Sequence, residues 1–357
     1  MNIADFDYHL PPDRIAQTPV EPRDSSRLLV VDRASGTLQH RIFRDIGEFL
    51  RPGDLLVANQ SRVLPARLLG RKEGSGGHVE VLLLAVRGDL GPDTWEALVR
   101  PGRRIHEGQR LTFGDGALTV EVQARTPSGG RIIQMFAADG DVPATIERLG
   151  SVPLPPYIHE PLADSERYQT VYARDPGSAA APTAGLHFTP DLLANLADRG
   201  IHTAFVTLHI GLDTFRPIAV QGLDDHKMHS EEIEMSAETA DRINATRRNG
   251  GRIVAVGTTA VRTLEAVAAL AESLRESGAA GEYEVVVPFR GRTDIFLRPG
   301  HHFRAVDVMI TNFHLPKSTL LVLVSAFASR ELILRAYAEA VAQHYRFYSF
   351  GDSMLLL

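Results

Sequence analysis

A chain of 357 residues, 44% hydrophobic and 23% charged, has a globular composition and exceeds the size at which one core stops growing, so two domains are expected. It has no cysteine, which excludes disulfides, thiolate nucleophiles, iron–sulfur clusters and cysteine zinc sites. A net charge of −6 excludes a uniformly basic protein, so a nucleic-acid partner would have to be met by a local patch.

The opening MNIADFDYHLPPDRIAQ carries acids early and lacks a basic stretch followed by an apolar run, so it does not read as a signal peptide. Apolar runs such as Leu320–Val324 are too short to span a bilayer. A soluble, cytoplasmic protein is expected. Arg27–Asp32 and Asp54–Ala58 are predicted buried strands, the second preceded by a Pro52-Gly53 turn.

From residue 62 to about 150 the pattern changes. Arg67–Arg71, Val79–Val86, Trp95–Val99, Leu111–Phe113, Leu118–Val122 and Arg131–Phe136 are short apolar or alternating runs separated by Gly- and Asp-rich turns. Such spacing predicts an all-β sandwich or small barrel, followed by a helix over Ala144–Leu149. Pro153, Pro155 and Pro156 form a stiff connector. The expected division is therefore an α/β domain of residues 1–61 plus 152–357, split by an inserted β domain of residues 62–151.

Beyond the connector, strands and helices alternate. Thr189-Pro190-Asp191 reads as a helix start and Gly200 as its end. Ile201–Ile210 is a predicted strand, and Ser236 caps a helix that ends at Arg247-Arg248. Arg252–Val256 is the next strand, with Thr259 opening the helix after it. Tyr283–Val287 and Val306–Ile310 are further strands. Ser318–Tyr345 is mostly helical, in one piece or two, and Tyr348–Leu357 closes as a strand with a turn at Gly351-Asp352. The alternation predicts a largely parallel sheet, open or closed.

In such sheets ligands gather beyond the carboxyl ends of the strands. Those ends carry His209 with Ile210-Gly211, then Gly257-Thr258-Thr259, then Asn312. The first amides of a helix attract anions, so Gly257–Thr259 is a candidate carboxylate or phosphate site, although Thr259 acting as an ordinary cap explains it equally well. In PTAGLHF, Gly185 would let a ligand approach the backbone, whereas His187 reads more simply as a histidine satisfied by a carbonyl. His226-Lys227-Met228-His229-Ser230-Glu231 is a weak metal motif and reads better as a polar loop, with proton transfer by His229 or Glu231 left open. Arg62, Arg67, Arg71, Lys72, Arg100, Arg103 and Arg104 are candidate RNA phosphate contacts, partly offset by Glu73, Glu80 and Glu96.

Eight segments, in order along the chain, carry a wider likeness: DSSRLLV (24–30), PGDLLVANQSRVLPARL (52–68), YQTVYARDPGSAAAPTAGLHFT (168–189), VTLHIGLDTFRP (206–217), HKMHSE (226–231), GTTAVRTLE (257–265), TNFHLPKSTLLVLVSAF (311–327) and YRFYSFGDSML (345–355). Together they resemble the S-adenosylmethionine:tRNA ribosyltransferase-isomerase family of queuosine synthesis. Asp213, where a glycine is expected, and Arg292 depart from the family pattern.

The resemblance implies an α/β main domain of barrel-like type, mostly parallel strands with helices outside, split by a small β-barrel. It implies transfer of the ribosyl part of S-adenosylmethionine to a tRNA wobble 7-aminomethyl-7-deazaguanine, with isomerisation to an epoxycyclopentane and release of adenine and methionine. The donor is consumed as a substrate, so no separate cofactor, metal or flavin is implied, and a monomer is expected.

Under that chemistry His209 is the first choice for the base that takes a proton from the ribose 5′ carbon. His187 and His229, with Glu231, follow as acid or relay. Thr183, Gly185, Gly257, Thr258, Thr259 and Asn312 would hold the donor, and Asp352 would meet the amino edge of the deazaguanine. Arg62, Arg67, Arg71 and Arg103 would contact tRNA. A methyltransferase using the same donor is the main alternative, but Arg27–Asp32 is followed by RASG and not by the usual glycine-rich fingerprint. A non-catalytic RNA-binding protein would call for stronger basic clustering.

Overall fold

The computed structural model describes residues 1–126, 129–211, 220–278, 281 and 284–357. In chain order the strands are β1 (Arg27–Val31), β2 (Leu38–Ile42), β3 (Leu55–Asn59), β4 (Ser61–Val63), β5 (Arg67–Lys72), β6 (His78–Val86), β7 (Thr94–Arg100), β8 (Arg110–Phe113), β9 (Leu118–Arg125), β10 (Arg131–Ala137), β11 (Asp175–Ser178), β12 (His202–His209), β13 (Glu231–Met235), β14 (Ile253–Val256), β15 (Phe289–Thr293), β16 (Val308–Asn312) and β17 (Ser353–Leu356). The helices are α1 (Val142–Leu149), α2 (Pro190–Asp198), α3 (Ala237–Arg248), α4 (Thr258–Glu276), α5 (Thr319–Ala328) and α6 (Arg330–Ala342). Two compact units emerge: Met1–Ser61 with Pro156–Asp175 and Ala181–Leu357, and Arg62–Pro155 with Pro176–Ala180.

The larger unit is built on a nine-stranded sheet in the order β15-β13-β12-β3-β14-β16-β17-β1-β2. Its centre is parallel: β12, β3, β14 and β16 run the same way. These strands are nearly continuous apolar runs, because a parallel sheet is covered on both faces. Leu55, Leu56, Val57, Ala58 and Asn59 of β3 are all buried. On one face Leu56, Ala58, Val254, Val256, Val308 and Ile310 pack with Phe188, Leu192 and Leu196 from the α2 region, and α4 packs on β12, β14 and β3.

A mostly parallel sheet of barrel-like type is therefore only half right. β13 and β15 at one end, and β17 and β2 at the other, add antiparallel pairings, so the sheet is mixed and open. β17 lies between β16 and β1, antiparallel to the first and parallel to the second.

Local chemistry sets the helix boundaries. Thr189 and Ser236 cap α2 and α3 by accepting from the amides of Leu192 and Thr239. The carboxyl-terminal helical stretch is in two pieces, one of the two forms expected, because Ser329, at φ 73°, breaks it while its hydroxyl caps α6. The strand expected over Tyr283–Val287 is not found in its described part, residues 284–287. A strand begins instead at Phe289 and takes the sheet edge beside β13.

The smaller unit is a closed six-stranded antiparallel barrel, β10-β7-β6-β5-β8-β9. Inward residues Leu68, Val81, Leu83, Ala97, Leu111, Phe113, Val120, Val122, Ile133 and Met135 fill it, together with Val142 and Ile146 of α1. The strands alternate, as β6 does with buried Val79, Val81 and Leu83, because only one face meets a core. Gly70 sits mid-strand because a Cβ there would come 2.4 Å from both the Phe113 ring and the Thr112 carbonyl.

Candidate active site

The carboxyl ends of the four central strands are level. Val206 of β12 pairs with Asn59, and Ala58 pairs with Val256, which pairs in turn with Ile310. Ionisable and amide side chains just past those points therefore share one edge of the sheet. Asn59 is a scaffold member of that edge: its side-chain amide donates to the Leu208 carbonyl at 2.9 Å and accepts from the Leu208 amide at 3.0 Å. It locks β3 to β12 just before His209.

Asn312 joins three turns. Its Oδ1 accepts from the Thr183 hydroxyl at 3.2 Å, and its Nδ2 lies 3.2 Å from both the Tyr348 carbonyl and His187 Nε2. An amide nitrogen only donates, so His187 Nε2 is the acceptor and Nδ1 carries the proton, which it gives to Ser26 Oγ at 2.7 Å. The ring stacks on Phe43 at 5.0 Å. Burial, then the positive charges of Arg23 and Arg346, push its pKa down to about 3. His187 is thus neutral and bonded through both nitrogens. Its partners are side chains where the sequence suggested a carbonyl, a difference set by tertiary contacts far along the chain.

Gly257 has φ 88°, a conformation that favours glycine, and its amide donates to Ile310 at 2.8 Å. A Cβ at this position would lie 3.5 Å from that of Ala184, so the GTT turn abuts the TAGLH turn. Gly257, not Thr259, is the cap residue of α4, and among the described residues no side chain caps this helix. Thr258 and Thr259 occupy its first turn, and the Thr259 hydroxyl is buried with no partner among the described residues. Reading Thr259 as an ordinary cap is therefore corrected. Gly185 has a close protein contact that by itself requires glycine, since a Cβ there would sit 2.1 Å from the Tyr172 hydroxyl.

At the other end of the edge, His209 is half-buried beside Glu232 in register. Its Nδ1 has no partner among the described residues. Burial lowers its pKa, against the opposing pull of Glu232, Asp175 and Glu234. A neutral imidazole with an uncommitted nitrogen suits a base.

Next to it, Glu231 is the first residue of β13 and is buried. The segment read as a polar loop thus ends in a strand, and the inward side of that strand begins with a carboxylate. Glu231 Oε1 lies 3.3 Å from His229 Nε2 and accepts from the Gly211 amide at 3.1 Å, while Oε2 pairs with Arg262 of α4. Burial pushes this carboxyl up, but His229, Arg262 and the Gly211 amide together hold it below its usual value. Arg292, one of the two departures, holds Ser230 through its hydroxyl at 3.0 Å and its carbonyl at 2.8 Å. The other departure, Asp213, lies outside the described residues.

Asp352 is buried, and its two oxygens accept from the Arg27 and Arg346 amides, each at 2.8 Å. This joins the last turn to the start of β1. Burial raises its pKa. Among the described residues no group of three or more His, Cys, Asp or Glu is placed to hold a metal ion, and no helix is long and apolar enough to cross a membrane.

Sequence reasoning missed Arg262 and Glu265. Both lie on the apolar face of α4 and are buried, at 5% and 0% exposure. Two charges three apart inside AVRTLEAVAAL were the available signal, because a buried charge has to be paired. Glu265 accepts from His301 at 3.1 Å and from the amides of Arg304, Ala305 and Val306 at 2.9, 3.0 and 3.1 Å, pinning the approach to β16.

In the barrel unit, Arg67 and Arg71 project outward from β5. Arg67 is forked onto Glu80 at 3.0 and 3.4 Å, and Arg71 donates to the Gly76 carbonyl at 3.2 Å. An open groove of about 940 Å³ runs past Arg71, His78, Arg100, Thr112 and Asp115. Arg103 is exposed in a single 3-10 turn, Gly102–Arg104, and Arg62 is half-buried in β4.

The chain matches the family model described as queuosine biosynthesis protein over residues 3–356. Three proteins named S-adenosylmethionine:tRNA ribosyltransferase-isomerase, from Symbiobacterium thermophilum, Moorella thermoacetica and Staphylococcus epidermidis, are 58%, 55% and 51% identical to it over the full length of both chains. A crystal structure of S-adenosylmethionine tRNA ribosyltransferase from Thermotoga maritima shares 38% identity at a TM-score of 0.54, covering 99% of this chain and 100% of that one. With every segment of the chain accounted for by these matches, the protein belongs to the queuosine biosynthesis protein family.

Proposed function

We propose that this chain is an S-adenosylmethionine:tRNA ribosyltransferase-isomerase. It moves the ribosyl part of S-adenosylmethionine onto the aminomethyl nitrogen of 7-aminomethyl-7-deazaguanine at the wobble position of tRNA. Isomerisation gives epoxyqueuosine, and adenine and methionine leave. The observation that carries this reading is full-length similarity above half identity to proteins of that name.

The positive sulfur acidifies the ribose 5′ carbon, and His209 takes that proton. Its lowered pKa keeps it neutral near pH 7, and its Nδ1 has no partner among the described residues. His229, oriented by Glu231, assists departure of adenine. Thr183, Asn312 and the first turn of α4 hold the donor. His187 fixes Asn312 rather than moving a proton, because both its nitrogens are engaged. Asp352 acts through the carboxyl-terminal turn. Arg62, Arg67, Arg71 and Arg103 meet tRNA phosphates, with Arg67 working against its bond to Glu80. The donor is a substrate, so no further cofactor enters. The reading places a monomer in the cytoplasm.

Product analysis tests this against methyl transfer. Incubation with donor and tRNA bearing the aminomethyl base should release adenine and methionine in equal amounts. Release of S-adenosylhomocysteine would overturn it.

A further inference from the structure

Arg262 carries an unusual arrangement. Its side chain is only 6% exposed, and one terminal nitrogen, Nη1, pairs with Glu231 Oε2. The other two nitrogens, Nε and Nη2, are buried with no acceptor among the described residues. Those two form the side edge of the guanidinium, the fork that grips both oxygens of a carboxylate. The same fork is filled elsewhere in this chain, where Arg67 Nε and Nη2 meet Glu80 at 3.0 and 3.4 Å. Leaving a buried charged fork unpaired is costly, and such a group calls for an explanation.

The position of Arg262 supplies one. It lies three residues after Thr259 and four after Thr258, hence on the same face of α4, and long side chains on a helix lean toward its amino terminus. By that rule the guanidinium points toward the first turn, where, among the described residues, no side chain caps the helix and the Thr259 hydroxyl has no partner. Its bond to Glu231, whose Oε1 holds the Gly211 amide just past His209, sets it at the carboxyl edge of the sheet. A helix amino terminus, a buried fork and a hydroxyl without a partner among the described residues, all on one face of α4, suit one small anionic group.

We propose that Arg262 is a donor-binding residue whose Nε–Nη2 edge takes the carboxylate of the methionine part of S-adenosylmethionine, against the first turn of α4. The proposal rests on the reading of the chain as a ribosyltransferase. Glu231 then has two parts: it orients His229, and it aligns the Arg262 fork by occupying the far nitrogen. The carboxylate is remote from the bonds that change, so this contact selects and seats the donor.

The test compares S-adenosylmethionine with its decarboxylated analogue, which keeps the sulfonium, ribose and adenine. The wild-type enzyme should prefer the intact donor by at least tenfold in kcat/KM. Arg262→Lys keeps a positive charge for Glu231 but loses the fork. With its fold checked by circular dichroism and Tm, it should raise KM for the intact donor about tenfold and leave that for the analogue nearly unchanged, so the preference collapses. Equal use of the two donors by the wild-type enzyme overturns the proposal whether or not the variant folds. So does a Lys variant that retains the preference, or one that loses both donors equally. Failure of the wild-type enzyme to release adenine from S-adenosylmethionine would instead sink the ribosyltransferase reading itself.

Discussion

His229 Nε2 and Glu231 Oε1 lie 3.3 Å apart, and the other oxygen of that carboxylate is held by Arg262. The three side chains come from a loop, from the first residue of β13 and from the second turn of α4. This links the segment beyond β12, through Gly211, to the helix that follows β14.

Removing the carboxylate charge exposes what it balances. Glu231→Gln leaves the Arg262 guanidinium buried without a counter-ion, which destabilises a protein by about 3–5 kcal/mol. Denaturant unfolding at pH 7 should show a loss on that order. Because the Glu231 pKa is lowered in the fold, its stabilisation is present above the unfolded carboxylate range and is lost as pH falls through the folded value. The variant should therefore lose its deficit relative to wild type only in acid.

His209→Ala should lower turnover by a factor of about a hundred or more while changing donor KM little, as expected for loss of a base. Single-turnover rates with saturating donor check this. A variant within threefold of wild type would remove His209 from that role.

Two histidines, the buried His187 and the half-buried His314, predict a second pH dependence, at higher pH than that of Glu231. Burial pushes His187 and His314 each down to about 3, whereas an unfolded histidine titrates near 6.5. Below about pH 6.5 the unfolded chain gains protons that the fold refuses, so stability falls as pH drops toward 3, by on the order of 1 kcal/mol per pH unit for each histidine. The urea midpoint should decline from pH 7 to pH 5. His314→Gln, which removes one of the two, should flatten that decline.

Gly185→Ala should destabilise the larger unit by about 1–3 kcal/mol through overpacking, because the new methyl would sit 2.1 Å from the Tyr172 hydroxyl. Adding Tyr172→Phe removes that oxygen and should restore part of the loss. Thermal melts of the single and double variants separate this from a loss of ligand contact.

Legibility in the sequence followed hydrophobic pattern. The central strands were readable because β3 and β14 are buried on both faces, and the barrel was readable from its alternation. β13, EEIEM, was not: its inward positions are Glu231, Ile233 and Met235, and a charge at the first of them breaks the apolar alternation on which recognition depends. β15, FRGRT, is an edge strand with a single buried residue, Thr293, and so gives no apolar signal.

At the candidate site, the strand-end residues His209, Gly257 and Asn312 were findable because strand ends are where ligands gather. Arg262 was hidden inside a helix, away from the strand ends where ligands were sought, and its burial depends on Glu231 of a distant strand. The packing of Gly185 against Tyr172, and the bonds of Asp352 to the amides of Arg27 and Arg346, were not legible. Partners of that kind are set by the fold and leave no local trace.

The central claim is that a sulfonium-activated sugar passes to an RNA base. The direct measurement feeds S-adenosylmethionine labelled in its ribose to the enzyme with tRNA bearing 7-aminomethyl-7-deazaguanine, and follows the label. The account predicts label in the RNA at the wobble nucleoside, about one per tRNA, with unlabelled adenine released. Label that stays entirely in small molecules, with the donor turned over, would contradict it.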